Sequence, residues 1–222
     1  MNTLEAIAAR QSVRSYLDRP IEAEVLAHLQ KEVDACNAES GLSLQLITNE
    51  PEAFQGFLAG YGSFKHVSNY LAVVGTKGPH LSETTGYYGE HIVLEATKLG
   101  LDSCWVGLTF RKGKTRFHAG PNEKLVCVIS LGYGETHGKA RKSKPMESLC
   151  SVQGPMPSWF EEGMRAAMLA PTATNQQKFL MTLVDEQSVH CEALRGPYAK
   201  LDLGIVKYHF EQGAGKDNFV WV

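Results

Sequence analysis

The chain has 222 residues, a formal net charge of -2, 43% hydrophobic and 21% charged residues. That length buries a sizeable core as one large domain or two small ones, and the composition is that of an ordinary globular protein. It offers no basic surplus for nucleic acid, no apolar run long enough for a membrane helix, and no basic-then-apolar leader.

In chain order, TLEAIAARQSV predicts a helix with Leu4, Ile7 and Ala8 on one face, broken at Asp18-Arg19-Pro20. A second helix follows from about Glu22, with Leu26, Leu29 and Val33 at helical spacing. LSLQLIT alternates Leu42, Leu44 and Leu46 as a half-buried strand, and YLAVVGT (70–76) reads as a buried one. A helix is predicted from Gly86 to Leu99, marked by Tyr88, Ile92 and Ala96 and stopped by Gly100. SCWVGLT and KLVCVISLGY are two further strands. After the polar, basic GETHGKARKSKP comes PSWFEEGMRAAMLA, a helix with Ser158 as expected N-cap, Glu161 at the capping-box position, and Phe160, Met164, Ala167 and Met168 inward. FLMTLVD is a strand and KLDLGIVKYHFEQGAG a last helix.

The five cysteines (Cys36, Cys104, Cys127, Cys150, Cys191) are scattered and form no CxxC pair, which predicts neither a disulfide framework nor a zinc cluster and points to a reducing, cytoplasmic setting. His91 and Glu95 stand one turn apart, but no second such pair exists, so no metal is expected.

An internal repeat runs through the chain. GYYGEHIVLEATKLGLDSCW matches GIVKYHFEQGAGKDNFVW, aligning Gly86 with Gly204, His91 with His209 and Trp105 with Trp221. A helix then a strand (22–48) is mirrored by a helix then a strand (159–185), and the second copy is expected to lack the YLAVVGT strand.

Four stretches carry candidate chemistry. In RQSVR, Arg10, Ser12 and Arg14 sit at i, i+2 and i+4, so an extended segment points two guanidiniums and a hydroxyl one way, a phosphate-seeking set. APTATNQQKF concentrates Thr172, Thr174, Asn175, Gln176 and Gln177 after Pro171, neutral donors and acceptors suited to a heteroaromatic edge or a polyol. GKARKSKP brings Lys139, Arg141, Lys142 and Lys144 together, a solvated loop or a local phosphate clamp. In ETTGYYGE, Gly86 is expected to open a helix and leave backbone N–H groups facing a ligand.

Taken together, EAIAARQSVRSYLDRPI, the GYYGEHIVLEATKLGLDSCWVG helix, the strand ending in LGYGE with its basic tail, and APTATNQQKF resemble the FMN-dependent nitroreductase family, in its short branch. The resemblance implies an α+β, three-layer α/β/α fold with a mixed, mainly antiparallel sheet and two degenerate repeats. Typical members carry the small-polar segment early and lend it to a partner subunit. Here DACNAESGL has lost that pattern and the second half carries it, so the chain resembles a fused pseudo-dimer, monomeric or weakly dimeric. The expected halves are 1–150, with the flavin phosphate site, and 151–222, completing the flavin site.

The resemblance also implies roles. Arg10, Gln11 and Ser12 bind the FMN phosphate with one of Arg141, Lys142 and Lys144. Arg14 lies by the N1/O2 edge of the ring, where positive charge favours its electron-rich form. Pro171, Thr172, Thr174 and Asn175 wall the ring and ribityl chain, a backbone N–H near Gly86 faces N5, and Thr85, Ala173 and Gln177 are further cofactor-binding residues. The implied activity is NAD(P)H-dependent, ping-pong reduction of nitroaromatics or quinones. Dehalogenation, dehydrogenation or a non-catalytic flavin-binding module are the alternatives.

Overall fold

The first helix, α1 (Thr3–Ala9), stops sooner than its sequence pattern predicts. Ser12 bridges instead to Ser103, and the Val13 N–H donates to the Ser103 carbonyl at 3.0 Å. A β-branched residue loses less by pairing at a sheet than by continuing a helix, so residues 10–13 leave it. The buried face of α1 is Ala6 and Ile7, while Leu4 points out at 50% exposure. The computed structural model describes residues 1–139 and 141–222, apart from the side chains of Leu58 and Ala59; Ala140, within the basic run, lies outside the described residues.

The chain divides into two compact units interleaved along the sequence rather than cut near residue 150. One comprises residues 9–81 and 92–140, the other residues 1–8, 82–91 and 141–222.

The first of these contains α2 (Ala23–Ser40), β1 (Gln45–Ile47), α3 (Phe57–Tyr61), β2 (Asn69–Thr76), the end of α4 (Leu81–Lys98), β3 (Asp102–Val106) and β4 (Glu123–Gly132). Its sheet runs β1-β2-β4-β3 and is antiparallel throughout, with Gln45 opposite Ala72, Val73 opposite Cys127, and Trp105 opposite Ile129. Residues 70–75 are buried on both faces of β2, as its unbroken apolar run predicts. Leu29 and Val33 bury the inner face of α2, and its last turns take in DACNAES. The predicted stop of α4 holds: Gly100 adopts φ +80° and the Leu101 N–H returns to the Ala96 carbonyl at 2.9 Å. Val13, Tyr16, Phe54, Phe64, Tyr70 and Val128 belong to one core cluster.

The second unit adds β5 (Cys150–Val152), α5 (Ser158–Ala167), β6 (Phe179–Leu183), β7 (Ser188–Ala193), α6 (Ala199–Ala214) and β8 (Val220–Trp221). Its sheet runs β5-β6-β7-β8, parallel at both ends and antiparallel in the middle. The α+β class is as expected, but the strands form two sheets among the described residues rather than one. Three details are corrected. Ser158 is not the cap: Pro157, fixed in an extended conformation, holds that place, and Glu161 pairs with Arg165. Met168, expected inward, is only half-buried. A strand, β7, also stands between β6 and α6, where none was expected.

Candidate functional site

RQSVR lies wholly in the first unit. Arg10 is buried at 3% exposure, Gln11 and Ser12 are half-buried, and Arg14 is exposed with its guanidinium carbon 6.0 Å from the centre of the Phe64 ring. Arg10 Nε itself has no hydrogen-bond acceptor, although the residue takes part in other interactions. All three predicted side chains act on one group, the buried thiol of Cys104. Burial pushes that thiol up, while the Arg14 and Arg10 charges and a Ser12 hydrogen bond pull it down. Across its i, i+2 and i+4 positions the segment is buried at Arg10, half-buried at Ser12 and exposed at Arg14. Val13, between them, is buried on the other business of the core. The glycine-rich stretch after β4 runs alongside: a Cβ at Gly138 would meet the Gln11 side chain at 2.7 Å.

PTATNQQ and the later part of the basic run, from Arg141, lie together in the second unit. The loop contains a short 3-10 turn at Ala173–Asn175, and Thr174, Asn175 and Gln177 all have left-handed backbones, an arrangement that costs about 1–3 kcal/mol per residue and needs a surrounding structure to impose it. The basic run supplies part of that structure. Arg141 donates to the Leu169 carbonyl, and Ser143 to that of Met168 at 3.2 Å. Lys144 Nζ donates to the carbonyls of Gln176 and Gln177 at 2.7 and 3.0 Å. Asn175 donates to the Lys142 carbonyl at 2.9 Å. Gln177 is buried and accepts the Lys144 N–H at 2.7 Å. Pro171 is buried as well, Thr172 and Ala173 are half-buried, and Thr174 and Asn175 are exposed.

Thr85 and Gly86 fall elsewhere than expected. Helix α4 begins at Leu81, so Gly86 sits inside it and not at its opening. The N–H groups without helical partners belong to the first turn. Thr85 is buried and donates its hydroxyl to the Ser82 carbonyl at 2.9 Å. Gly86 is glycine because α6 crosses it: a Cβ there would lie 2.1 Å from the Leu201 carbonyl oxygen. A Cβ at Gly204 would lie 1.9 Å from the Glu83 carbonyl oxygen. Further along, buried His209 and Glu90 meet at 2.8 Å, and His91 meets the Tyr208 hydroxyl at 2.8 Å. Position for position, each helix does to the other what is done to it, the pattern of a self-complementary contact.

A protein-family description, "Putative TM nitroreductase", matches residues 2–214. The chain belongs to this nitroreductase family. Among solved structures, a "putative nitroreductase" of Thermotoga maritima superposes on this family member with a TM-score of 0.69 at 22% identity, covering 98% of this chain and 85% of its own. A "putative nitroreductase in complex with FMN" of Desulfovibrio desulfuricans gives a TM-score of 0.54 at 17% identity, over 71% and 99% of the two chains. A "putative NADH dehydrogenase/NAD(P)H nitroreductase" of Bacteroides thetaiotaomicron gives 0.51 at 17%, over 66% and 95%. At these identities the likeness is one of fold. No curated protein matches the sequence.

Asp202, which the sequence reading did not single out, and Gln176, to which it gave no specific role, both matter to the loop of this family member. Asp202, on the first turn of α6, accepts the Ala173 N–H, and Gln176, the one loop amide left unassigned, donates to the same carboxylate at 2.8 Å. The signal was present: Asp202 is an acid inside the apolar run LDLGIV, where a carboxylate without a purpose is expensive. Among the described residues no three His, Cys, Asp or Glu side chains are grouped to hold a metal ion, and no helix is long and apolar enough to cross a membrane.

Proposed function

We propose that this nitroreductase-family chain is an FMN-dependent oxidoreductase that takes electrons from NADH or NADPH and passes them to a small electron-poor acceptor such as a nitroaromatic or a quinone. The reading is carried by the match of residues 2–214 to this family, supported by the placement of RQSVR against β3 through Ser12 and Val13. The names of the Desulfovibrio and Bacteroides structures support it. The donor set fits the cofactor: guanidiniums and a hydroxyl suit a phosphate, and neutral hydroxyls and amides suit a ring edge and a polyol chain. Bound FMN supplies the electron transfer itself. Arg10 and Ser12, beside Gln11, hold its phosphate, and exposed Arg14 stabilises negative charge on its ring. Thr172, Ala173, Thr174 and Asn175 bear on the ring and ribityl chain. Arg141, Lys144, Pro171 and Gln177 brace that loop, and Thr85 and Gly86 contribute through the helix that contains them. The five free thiols support a reducing, cytoplasmic location.

We also infer that the chain arose by duplication, with one flavin site retained; the reciprocal contacts of α4 and α6 support this. The test is the visible absorption of freshly purified protein with released flavin quantified per chain. About one FMN per chain is expected, and two would overturn the single-site reading. A colourless protein that refuses added FMN would overturn the flavin reading. NADH or NADPH oxidation with an added quinone then separates an oxidoreductase from a flavin-binding module.

A further inference from the structure

We propose that Asp202 is a positioning residue that holds the 172–176 loop in its ligand-facing conformation, with the Gln176 side chain as its lever. This rests on the flavin reading of that loop. The ends of the loop are anchored by buried Gln177, whose N–H donates to Thr172 Oγ1 at 3.1 Å, and by Lys144. Its middle is held by Asn175, which donates to the Lys142 carbonyl at 2.9 Å, and from α6 by Asp202. Both carboxylate oxygens lie 3.1 Å from the Ala173 nitrogen. Gln176 Nε2 reaches Oδ2 at 2.8 Å and the Pro197 carbonyl at 2.7 Å. Gly196 makes room for that amide, since a Cβ there would stand 2.5 Å from Gln176 Oε1. Asp202 is 3% exposed, so its bonds to Ala173 and Gln176 are made in a poorly solvated place, where charge-assisted hydrogen bonds are strong. The two residues between those grips, Thr174 and Asn175, have left-handed backbones that need an outside restraint, and their side chains are exposed. Burial pushes the Asp202 carboxyl up to about 6 against the pull of Gln176 and Ala173, which leaves it a carboxylate, the better acceptor, at neutral pH.

The experiment is titration of the apoprotein with FMN, followed by quenching of flavin fluorescence, for wild type, Asp202→Ala, Gln176→Leu and the double variant. Each single variant is expected to raise Kd at least about tenfold, and the double variant to add little, because both act through one clamp. Asp202→Asn, which keeps an acceptor for the Ala173 N–H, should recover part of the affinity. Wild-type binding with both single variants within twofold of it overturns the inference while leaving the flavin reading intact. Fully additive losses also overturn it, since they would mean two independent contacts. Failure of the wild type to bind FMN overturns both. If Asp202→Ala does not fold, Gln176→Leu decides alone.

Discussion

Gly86 and Gly204 both lie at the crossing of α4 and α6, each with the other helix's backbone where its own side chain would be. The Cβ positions would fall 2.1 and 1.9 Å from carbonyl oxygens. Glycine in a helix interior is otherwise a cost of about 1 kcal/mol relative to alanine, so its presence at both aligned positions reports a close approach. Gly86→Ala and Gly204→Ala should each destabilise by about 2–3 kcal/mol, because the helices must separate. Gly113→Ala, with nothing within 4 Å of its Cβ, should stay within about 0.5 kcal/mol. Urea midpoints read both.

Glu90 and His209 are both fully buried, and His209 Nδ1 stands 3.1 Å from the Ala166 carbonyl. Since a carbonyl only accepts, Nδ1 carries a hydrogen, and a further proton lies between Nε2 and Glu90. Glu90→Ala strands the imidazole and should cost about 3–5 kcal/mol. His209→Ala should then cost at least about 1 kcal/mol less in that background than in wild type, which denaturation of the four proteins measures.

Arg10→Ala and Arg14→Ala should each weaken FMN binding at least about tenfold, or ~1.4 kcal/mol. Arg14→Ala should in addition slow reduction by NAD(P)H at saturating FMN. Unchanged occupancy and rate for Arg14→Ala would remove it from the ring.

Asp202 also predicts a pH dependence. Its folded-state carboxyl is raised to about 6, above its ordinary 3.8, so the folded chain binds more protons than the unfolded one between those values. Stability from this group therefore falls as pH rises through that window, by at most about 3 kcal/mol. Wild type should lose ground to Asp202→Asn as pH rises from about 4 to about 6, and hold level above that. Equal slopes for the two would show that the carboxyl is not raised. The clamp is thus kept at the expense of stability.

Burial pushes the Cys36 and Cys191 thiols up to about 12 and raises those of Cys104 and Cys127 as well. Cys150 is raised too but is only half-buried. With a thiol-specific disulfide reagent at pH 8, Cys150 alone should react in the folded protein, and all five thiols in denaturant. A second fast thiol would contradict this packing.

Much of the fold was legible where one local rule acted without competition. The apolar run of β2 and the Gly100 stop of α4 both appear as read. The N-terminal end of α4 was misplaced because Gly86 was taken for a punctuation mark, when its cause lay in a helix more than a hundred positions away. β7 was missed although SVHCEA alternates buried Val189 and Cys191 with exposed His190 and Glu192, because the turn that launches it is made by Asp185 accepting the N–H groups of Gln187 and Ser188 rather than by glycine or proline. Asp202 and Glu90 carry no local mark of their role: a partner distant in sequence gives each carboxylate its purpose, and no local pattern records it.

The interleaving of the two units sets an order of events for a chain leaving the ribosome. Residues 9–81 and 92–140 are all made before the last third of the chain emerges, so their unit has everything it needs early. Residues 1–8 and 82–91 must wait for 141–222, and until α6 arrives Glu90 has no imidazole beside it and Gly86 no helix across it. Contacts between such distant positions are slow to form. The loop with Asp202 behind it is therefore among the last parts of the molecule to be assembled, and a nascent chain stalled in its final helix would be largely folded yet unable to shape that loop.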